Sequence, residues 1–519
     1  MNTFNYESYK EQITVFPQIT YAEFEKITDL RVRKEIIKKN KILKTDAYNR
    51  TMTHLRWEKW MLPETYTVSF RKNASKTFNV VYGIKDKLVE LFGTPITQQE
   101  LDFAADFYAA QAQKWGNSNF NKAMWQDIID NHNWYLPLEI KAVADGSLIK
   151  AWEPLMSITG PGEFAAIYEP VFMRTTFQSI VATDGLLITN LMHQWRIVET
   201  TDEEIKAVNI VKWIYADEFG ARSVINRDHH FDAAEALIVG ASLHATSSDA
   251  TAAVFPQLIS SWTVAHRYLA SYDTEDEALE NAVQKSEKIT LLVDLIDSYQ
   301  WIEKAIKLKK KYRNTWKKIW IRLDSWDLLD QTLYALRRYK EEWMLDPKLD
   351  KIIVADISSI EDIEKIEAAV WDAWFDPRDF VYYGLGELLV GKNKTRSRVS
   401  TGDKLTRTNG RNTGKLSNDS GKIPLPWRLN IEVREKERVI VQDEEAIQGK
   451  RLLNTVYKNG TLGYDTNDIK YIDDAKQHLI ENLSDIYKPT VLSAATQAVV
   501  VEVKDWFEWQ KEKTHTKVA

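Results

Sequence analysis

The sequence predicts a globular α/β protein whose central part contains a parallel β-sheet. Between about residues 155 and 390, short apolar runs alternate with amphipathic helical stretches. This strand–loop–helix order is typical of parallel sheets, and it fits either a closed barrel or an open doubly wound sheet. The chain has 519 residues, of which 44% are hydrophobic and 28% are charged, so it can bury a large core.

The flanking parts of the chain predict further α/β structure. Helical and strand-like patterns alternate up to about residue 150, which we predict to be an N-terminal α/β domain. The sheet or barrel domain then spans residues 151–390, and residues 391–519 contain a basic loop and a C-terminal segment. The predicted elements outside the central part are helices at 1–45 and 84–133, strands at 65–70, 77–82, 138–143, 428–441 and 452–458, and a helical tail from 466.

The basic loop runs from Gly391 to Lys422 and has nine Lys or Arg residues against two acidic ones. Its few apolar residues argue against a place in the core, so we predict a loop. Two interpretations stay open, a disordered linker or a mobile flap that binds phosphate. The Lys-rich run from Lys304 to Lys318 is instead predicted to be a solvated helix face, because aromatic side chains are not interleaved as in nucleic-acid-binding proteins.

Composition excludes several classes of function. A net charge of −6 gives no bulk attraction to nucleic acid or to an anionic membrane. The first residues show neither a signal-peptide pattern nor a span of about 18 apolar residues, so we expect a cytoplasmic protein. The absence of cysteine excludes disulfides and thiolate chemistry. These observations favour small-molecule partners, and no nucleic acid or membrane partner is expected.

Polar residues and a glycine follow the apolar runs of the central part, at positions that line the active face of a barrel. They are Asp297, Asp324, Asp356 and Gly384. Carboxylates gathered at such an edge can hold Mg²⁺, contact ribose hydroxyls and stabilise developing positive charge. Each aspartate taken alone is more often a turn residue or a helix N-cap.

Three further motifs suit the binding of a flat, anionic small molecule. In Phe219-Gly220-Ala221-Arg222, an aromatic ring can stack on a heteroaromatic base and a guanidinium can pair with an anion. Gly384 and Gly386 form a short glycine turn whose amides could hold phosphate, although such a turn is a weak signal alone. His266 follows a strand-like run, and a lone histidine is usually structural.

Taken in order along the chain, these pieces resemble the nicotinate and nicotinamide phosphoribosyltransferases, the type II phosphoribosyltransferases. The matching motifs are Thr45-Asp46-Ala47-Tyr48, Phe70-Arg71, Leu136–Val143, Phe219–Arg222, Thr263–His266, Asp297-Ser298-Tyr299, Arg322–Ser325, Gly384–Gly386 and Lys415-Leu416-Ser417. The resemblance implies an irregular α/β barrel with a second α/β domain formed from the N- and C-terminal segments. It also implies a homodimer with active sites at the dimer interface.

The resemblance implies a function in NAD salvage, that of a nicotinate phosphoribosyltransferase. Such an enzyme forms nicotinate mononucleotide and diphosphate from nicotinate and 5-phosphoribosyl 1-diphosphate. The family couples this reaction to ATP hydrolysis and uses Mg²⁺, whose ligands the sequence does not identify. Two alternatives stay open: nicotinamide as the substrate, and a non-catalytic protein on the same fold.

The resemblance also assigns roles to individual residues. His266 would be phosphorylated by ATP, while Asp324 and Asp297 would stabilise the ribose and its developing positive charge. Phe219 would stack on the pyridine ring together with Tyr48 of the partner subunit. The other assignments concern anionic groups: Arg222 and Arg322 for substrate anions, Arg71 for diphosphate in trans, and Gly384 and Gly386 for the 5-phosphate.

Tryptophan stands at several positions where the family has glycine. The chain has 19 Trp and 19 Gly, whereas Gly normally makes up about 7% of residues. The positions are Trp134, Trp152, Trp262, Trp316, Trp320, Trp326 and Trp427. Either the protein is a degenerate relative whose indoles fill the substrate pockets, or its gene uses UGA for glycine and was translated with UGA as tryptophan. The repeated exchange of one residue type for one other favours recoding.

Two more departures bear on the substrate. Glu387 follows the Gly384–Gly386 turn where the family continues with Gly or Thr, and a carboxylate beside a phosphate is unfavourable. Asp249 stands where nicotinate enzymes tend to carry Asn and nicotinamide enzymes Asp. A carboxylate there would accept a hydrogen bond from a carboxamide and repel a carboxylate, so the choice between nicotinate and nicotinamide stays open.

Overall fold

The structure is a computed structural model that describes residues 5–55, 61–75, 77–115, 120–194, 214–261, 263–294, 297–315, 317–414, 425–464 and 470–516. The chain divides into two compact units. The first comprises residues 1–179, 395–471 and 482–519, and the second comprises residues 180–394 and 472–481.

Strands and helices are numbered here in chain order. The strands are β1 (Pro63–Ser69), β2 (Asn79–Val80), β3 (Glu139–Ala142), β4 (Leu148–Ile149), β5 (Pro154–Pro161), β6 (Ala216–Glu218), β7 (Ala245–Thr246), β8 (Ile259–Ser260), β9 (Lys288–Leu292), β10 (Lys318–Leu323), β11 (Ile352–Ala355), β12 (Val381–Leu385), β13 (Gly402–Thr408), β14 (Arg411–Asn412), β15 (Leu429–Val433), β16 (Arg438–Gln442), β17 (Lys450–Arg451), β18 (Asn454–Lys458), β19 (Thr461–Leu462) and β20 (Thr490–Leu492). The helices are α1 (Tyr6–Thr14), α2 (Tyr21–Glu25), α3 (Leu30–Lys39), α4 (Ala47–Leu55), α5 (Ile84–Phe92), α6 (Gln98–Trp115), α7 (Lys122–Asn131), α8 (Gly162–Ile167), α9 (Glu169–Phe172), α10 (Thr175–Gln194), α11 (Arg227–Ala241), α12 (Asp249–Val254), α13 (His266–Leu269), α14 (Glu275–Lys285), α15 (Ser298–Tyr312), α16 (Leu328–Glu341), α17 (Ile360–Asp372), α18 (Pro377–Phe380), α19 (Glu387–Val390), α20 (Arg396–Val399), α21 (Tyr471–Glu481) and α22 (Ala494–Thr516).

The first unit is built around an antiparallel sheet whose strands come from both ends of the chain. Its order is β14-β13-β1-β5-β3-β18-β19, and a second sheet has the order β17-β15-β16-β20. The helices add a core in which Phe16, Tyr21, Phe24 and Phe103 pack together. The expectation of a second α/β domain formed from the N- and C-terminal segments is therefore confirmed.

Part of the basic segment is not a loop. The stretch Gly402–Thr408 forms β13, which pairs antiparallel with β1 and places Lys404 opposite Thr67. The prediction of a loop is wrong here because threonine-rich segments suit strands, and the partner strand lies far away in the sequence. Residues 415–424, which include the Lys415-Leu416-Ser417 motif, lie outside the described residues.

The second unit contains a curled sheet of parallel strands in the order β8-β7-β6-β12-β11-β10-β9. Read as a circle, this is the chain order from β6 to β12, with β12 paired to β6. A backbone hydrogen bond from Val264 N–H to the Thr290 carbonyl, 3.1 Å long, links the β8 and β9 edges. The circular order confirms the predicted irregular barrel over an open doubly wound sheet.

The strands of this sheet are buried, as expected for parallel strands covered by helices. In β10, Ile319, Ile321 and Leu323 are buried on one face of the strand. Because side chains alternate between faces, Trp320 and Arg322 lie on the other face. The apolar face therefore fixes which face of the sheet presents Arg322.

Six tryptophans have left-handed backbone, with φ between +55° and +87°. They are Trp134, Trp152, Trp326, Trp343, Trp374 and Trp427. Bulky L-residues rarely adopt this conformation, and glycine is the residue that usually does. Trp343 and Trp374 extend the set of positions suspected to be glycine. Trp320 lies in strand β10 without left-handed backbone, and Trp262 and Trp316 lie outside the described residues.

Two of these tryptophans end helices at the position most typical of glycine. After α16, Trp343 N–H donates to the Lys340 carbonyl at 3.2 Å and Met344 N–H donates to the Tyr339 carbonyl at 2.8 Å. The same pair of hydrogen bonds follows α17, with Trp374 in the equivalent place. This is the Schellman ending, whose left-handed residue is usually glycine. The two indoles are 87% and 91% exposed, so packing gives no reason for tryptophan at either place.

Trp152 occupies a turn position with the same requirement. A hydrogen bond of 3.1 Å from Glu153 N–H to the Lys150 carbonyl closes the turn, and Trp152 is its third residue with φ +75°. A type II turn needs positive φ at this residue and normally takes glycine there. Backbone geometry thus supports the recoding hypothesis at positions that play different structural roles.

Replacing Trp343 or Trp374 by glycine is expected to stabilise the chain by about 0.5–1.5 kcal/mol each. Left-handed backbone costs a non-glycine residue about 1–2 kcal/mol, and the added freedom of glycine in the unfolded chain offsets part of this. Urea unfolding gives the free energies. The control is Trp125→Gly, which removes a buried ring from α7 and should cost about 3 kcal/mol or more. Loss of stability in all three variants would contradict this account.

Peptides of the protein from its native source are expected to have the mass of glycine at Trp134, Trp152, Trp326, Trp343, Trp374 and Trp427. Trp125, which is buried against the ring of Phe164 in an edge-on contact, is expected to keep the mass of tryptophan. Tandem mass spectrometry of native peptides makes the comparison directly. Tryptophan mass at Trp343 and Trp374 would rule out recoding and favour the degenerate relative.

Candidate active site

A cavity of about 410 Å³ lies at the carboxyl ends of β6, β10, β11 and β12 in the second unit. Six residues predicted for the substrate site line it: Phe219, Arg222, Arg322, Asp324, Gly384 and Gly386. Asp356, Glu387 and Lys392 add three charged side chains to its wall. The carboxyl edge of a parallel sheet is where such folds usually bind ligands. The structure therefore brings the central part of the predicted site together.

Arg322 at the end of β10 connects three parts of this edge. One guanidinium nitrogen donates to Thr263 Oγ1 at 2.7 Å and another to Asp324 Oδ1 at 2.5 Å. The guanidinium carbon lies 5.6 Å from the centroid of the Phe219 ring. The Nε–H group is buried and has no hydrogen-bond partner among the described residues. Buried donors are normally paired, so this Nε–H group is available to an acceptor from a bound ligand or a water molecule.

Phe219 is held in place by the end of β12. Its N–H donates to the Leu385 carbonyl at 2.7 Å. A Cβ atom on Gly384 would lie 2.5 Å from a ring carbon of Phe219, so only glycine lets the ring pack there. At Gly386 the nearest atom to an added Cβ is 3.5 Å away, which is an ordinary contact. The two glycines thus differ: the first admits the ring, and the second leaves the cavity wall open.

Glu218, which the sequence analysis did not single out, helps to position Phe219 by binding the backbone of the next residue, Gly220. Its carboxylate is fully buried and accepts hydrogen bonds from Thr246 Oγ1 at 2.6 Å and from the backbone N–H of Gly220. His230 Nε2 lies 2.9 Å from Oε2, the same carboxylate oxygen that accepts from Thr246. His230 is therefore a buried partner of Glu218.

A second group of polar residues adjoins the cavity through Asp324. His266, at the start of α13, lies with Nε2 3.0 Å from Asp294 Oδ1. Ser325 Oγ donates to the other oxygen of Asp294 at 2.7 Å. One ring nitrogen of His266 and one carboxylate oxygen from each of Asp294 and Asp324, the atoms that could bind a metal ion, all lie within 4.8 Å of one another. Two carboxylates so close together can offer the oxygen ligands that Mg²⁺ prefers.

The two aspartates that follow β9 have different places. Asp294 is buried and directly contacts His266, whereas Asp297 caps α15 by accepting the Gln300 N–H at 3.2 Å. The sequence singled out Asp297 because the family motif matches at Asp297-Ser298-Tyr299. The structure groups Asp294, not Asp297, with His266. Its position directly after the apolar run Leu291–Val293 was the signal that could have identified it.

Asp356 follows β11 and has left-handed backbone, with φ +57°. Partial burial and the neighbouring Asp324 carboxylate raise its pKa above the usual range for aspartate. Left-handed backbone in a residue other than glycine is often found at functional sites. Of the three carboxylates that line the cavity, Asp324 and Asp356 are therefore close enough to repel each other, and the neighbouring Arg322 guanidinium partly offsets that repulsion.

Asp249 is exposed at the start of α12, where its carboxylate accepts a hydrogen bond from Ser260 Oγ. Within the described residues, it is not among those that line the cavity. Its proposed contact with the ring substituent stays a prediction. Both Asp249 and Ser260 nevertheless lie on the edge formed by the ends of β7 and β8.

Tyr48 and Arg71 belong to the first unit. The Tyr48 hydroxyl on α4 donates to Glu169, and burial together with this carboxylate raises the pKa of Tyr48. Arg71 follows β1 and donates from Nε to the Ser400 carbonyl at 2.7 Å. Their expected roles in the site of a second copy of the chain stay predictions.

A curled parallel sheet with a cavity at its carboxyl edge agrees with the fold that the resemblance to the type II phosphoribosyltransferases implies. Comparisons with known proteins confirm the resemblance to this group. Residues 40–140 match the sequence model of the N-terminal domain of nicotinamide phosphoribosyltransferase. Among curated proteins, nicotinate phosphoribosyltransferase 2 of Arabidopsis thaliana is 23% identical over 267 residues, and nicotinamide phosphoribosyltransferase of Xanthomonas campestris is 26% identical over 147 residues. These matches cover 50% and 28% of this chain, and only 42% and 29% of the two relatives.

Solved structures extend the similarity of fold to most of the chain. Nicotinate-nucleotide pyrophosphorylase from Pyrococcus furiosus aligns with 89% of this chain and 98% of its own, at a TM-score of 0.60 and 14% identity. Human nicotinic acid phosphoribosyltransferase aligns with 88% of this chain and 99% of its own, at a TM-score of 0.59 and 15% identity. The TM-scores show a shared fold, and at identities this low the two alignments show nothing beyond the fold.

Among the described residues, no helix combines the length and the apolar character that crossing a bilayer requires.

The difference between the two cavity glycines can be tested. Gly384→Ala is expected to destabilise the chain by about 1–3 kcal/mol, because its methyl group overlaps the Phe219 ring. Gly386→Ala should change stability by less than about 0.5 kcal/mol, since its methyl group meets only ordinary contacts. Denaturant unfolding of both variants measures the two effects. Equal effects would show that Phe219 does not pack against Gly384 in solution.

Proposed function

We propose that this chain is a nicotinate phosphoribosyltransferase of NAD salvage, which joins nicotinate to the ribose of 5-phosphoribosyl 1-diphosphate and releases diphosphate. The observation that carries the proposal is the cavity in which Phe219, Arg322, Asp324 and the Gly384–Gly386 turn meet. The aromatic face of Phe219 suits the pyridine ring, and the guanidinium of Arg322, whose buried Nε–H has no partner among the described residues, suits the carboxylate of the base. The Asp324 carboxylate suits the ribose, and the glycine turn suits the 5-phosphate. The named relatives support the same class of reaction.

The reaction requires the site to stabilise positive charge on the ribose, to bind the carboxylate of the base and to orient the pyridine ring. The pyridine nitrogen forms a bond to ribose C1 as the bond from C1 to the diphosphate oxygen breaks, and positive charge develops on the ribose in between. Asp324 stabilises that charge, and Arg322 holds the carboxylate of the base near Phe219. Phe219 stacks on the flat ring and so orients its nitrogen. Because the charge exists mainly in the transition state, Asp324 affects turnover more than binding.

His266, Asp294 and Asp324 supply the remaining functions. Asp294 and Asp324 fit the oxygen preference of Mg²⁺, which when bound neutralises the charge of the diphosphate. His266 is half exposed and oriented by buried Asp294, so it is accessible for phosphorylation by ATP. We propose that this phosphorylation couples ATP hydrolysis to nucleotide formation. We also propose a homodimer in which Tyr48 of the partner subunit and Arg71 of the partner subunit complete each site.

Nicotinamide is the second candidate substrate. The observation that favours it is Asp249, whose carboxylate would repel the nicotinate carboxylate and accept a hydrogen bond from a carboxamide. The match of residues 40–140 to a nicotinamide phosphoribosyltransferase domain is compatible with it. A third outcome, a protein without activity, would follow if the indole of Trp326 were native and obstructed the turn that carries Asp324.

The test is to incubate the purified protein, both as printed and with glycine at the six left-handed tryptophans, with 5-phosphoribosyl 1-diphosphate, Mg²⁺, ATP and each base. Nicotinate mononucleotide is the expected product, and the glycine form should be more active. Asp324→Asn in the glycine form serves as the control and should lower kcat by about 100-fold. Nicotinamide mononucleotide as the main product would support the second candidate, and no product from either base would reject both.

Exchanging Asp249 for asparagine is expected to shift preference towards nicotinate, because an amide can donate to the substrate carboxylate that Asp249 repels. Preference is the ratio of kcat/KM for nicotinate to kcat/KM for nicotinamide. A single contact of this kind is worth about 1–3 kcal/mol, which corresponds to roughly 5- to 150-fold in the ratio. An unchanged ratio would show that Asp249 does not contact the ring substituent.

His266→Ala should remove stimulation by ATP while leaving basal transfer measurable. Asp294→Asn should remove the stimulation and also lower basal transfer, because Asp294 is a proposed Mg²⁺ ligand. The first variant lacks the nitrogen that accepts phosphate, and the second lacks the carboxylate that orients it. The matched control is Asp297→Asn, because asparagine caps helix α15 as well as aspartate does. The measurement is the ratio of rates with and without ATP. Loss of stimulation in the Asp297 variant alone would return that role to Asp297.

A further inference from the structure

Lys392 lies in the segment after β12, where it lines the cavity and contacts the loop after β11. Lys392 Nζ donates to the Ser358 carbonyl at 2.8 Å, in the loop after β11. Its backbone N–H donates to the Glu387 carbonyl at 2.9 Å, at the start of α19. Both Lys392 and Glu387 line the cavity beside Gly386. The lysine is therefore fixed at the place where the glycine turn meets the cavity.

The charged side chains that line the cavity differ in whether they have a partner of opposite charge. Arg322 is already engaged with Asp324, its partner at 2.5 Å. Lys392 contacts a neutral carbonyl and keeps two of its three ammonium donors available for a ligand. The Glu387 carboxylate makes no ion pair within the part of the chain that the structure describes. An anion placed at Gly386 would thus lie close to the Lys392 ammonium and the Glu387 carboxylate, in a cavity that Arg222 and Asp356 also line.

We infer that Lys392 binds the 5-phosphate of the ribose substrate and offsets the repulsion from Glu387. This inference rests on the proposed function, since it concerns the phosphate of that substrate. A phosphate at the Gly384–Gly386 turn lies beside Glu387, and like charges in a partly enclosed cavity repel strongly. The positive charge of the Lys392 ammonium offsets the repulsion between the phosphate and the Glu387 carboxylate. It also makes the site select phosphorylated over unphosphorylated ribose.

A purely structural role for Lys392 predicts something different. If its function is only to join the loops after β11 and β12, its removal would loosen both loops and weaken every ligand alike. If it binds phosphate, the loss is confined to ligands that carry phosphate. The effect should then also depend on the charge of Glu387, because both side chains act on the same anion.

The experiment is titration calorimetry of the full chain with ribose 5-phosphate, with ribose as the unphosphorylated probe. Lys392→Met should weaken binding of ribose 5-phosphate by about 10- to 100-fold, and Lys392→Arg by much less. Glu387→Gln should strengthen it, and the double variant should fall between the two single variants. Lys365→Met, which alters an exposed lysine on α17 of the same unit, is the matched control and should change nothing.

Each outcome decides the inference. Weaker binding of ribose 5-phosphate by Lys392→Met, with unaltered circular dichroism and thermal unfolding, supports it. Unchanged binding, or equal weakening together with lowered thermal stability, overturns it. If phosphate binding depends on Lys392 but no nucleotide forms from either base, the proposed function fails while this inference stands. If nucleotide forms and KM for 5-phosphoribosyl 1-diphosphate is unchanged in Lys392→Met, the inference fails while the function stands.

Discussion

The common direction of the seven strands from β6 to β12 is the constraint on which the candidate site depends. Because the strands are parallel, their carboxyl ends meet at one edge, and residues separated by more than 150 positions in the sequence become neighbours. Phe219 follows β6, Arg322 ends β10 and Gly384 lies near the end of β12. Buried apolar side chains keep each strand in register and determine which face presents polar groups. Stability and ligand binding are therefore linked through the same register.

Left-handed backbone is a second requirement of this fold. It occurs in turns that follow the carboxyl edge and at the ends of helices that cover the sheet. Trp326 has this conformation between Ser325, which contacts Asp294, and Asp327, which caps α16. Trp343 has it at the other end of the same helix. The positions share no packing environment, since some are exposed and others partly buried, but they share the need for positive φ. Glycine meets that need at every one of them, which makes a change in the genetic code a simpler cause than independent substitutions.

The apolar runs at 319–321, 351–354 and 380–383 predict strands, and β10, β11 and β12 match them to within about two residues, because buried parallel strands leave a strong local signal. The site at their ends was predictable for the same reason. Asp294 was not distinguished from Asp297 because both follow β9 and the family motif matches at Asp297, whereas the contact with His266, 28 residues away in the sequence, identifies Asp294. Strand β13 was not predicted because its polar residues resemble a loop until β1 pairs with it. Sequence patterns thus located the edge, whereas contacts between distant segments determined which residues meet there.

The central claim is that the edge formed by β6 and β10 to β12 binds a phosphorylated ribose. The most direct measurement is a crystal structure of the protein with 5-phosphoribosyl 1-diphosphate and Mg²⁺. The account predicts the 5-phosphate at the Gly384–Gly386 turn beside Lys392, and the ribose next to Asp324. It also predicts an acceptor from a ligand at the Arg322 Nε–H group, which is unpaired among the described residues. A substrate bound elsewhere, or an indole of Trp326 in the place of the ribose, would contradict the account.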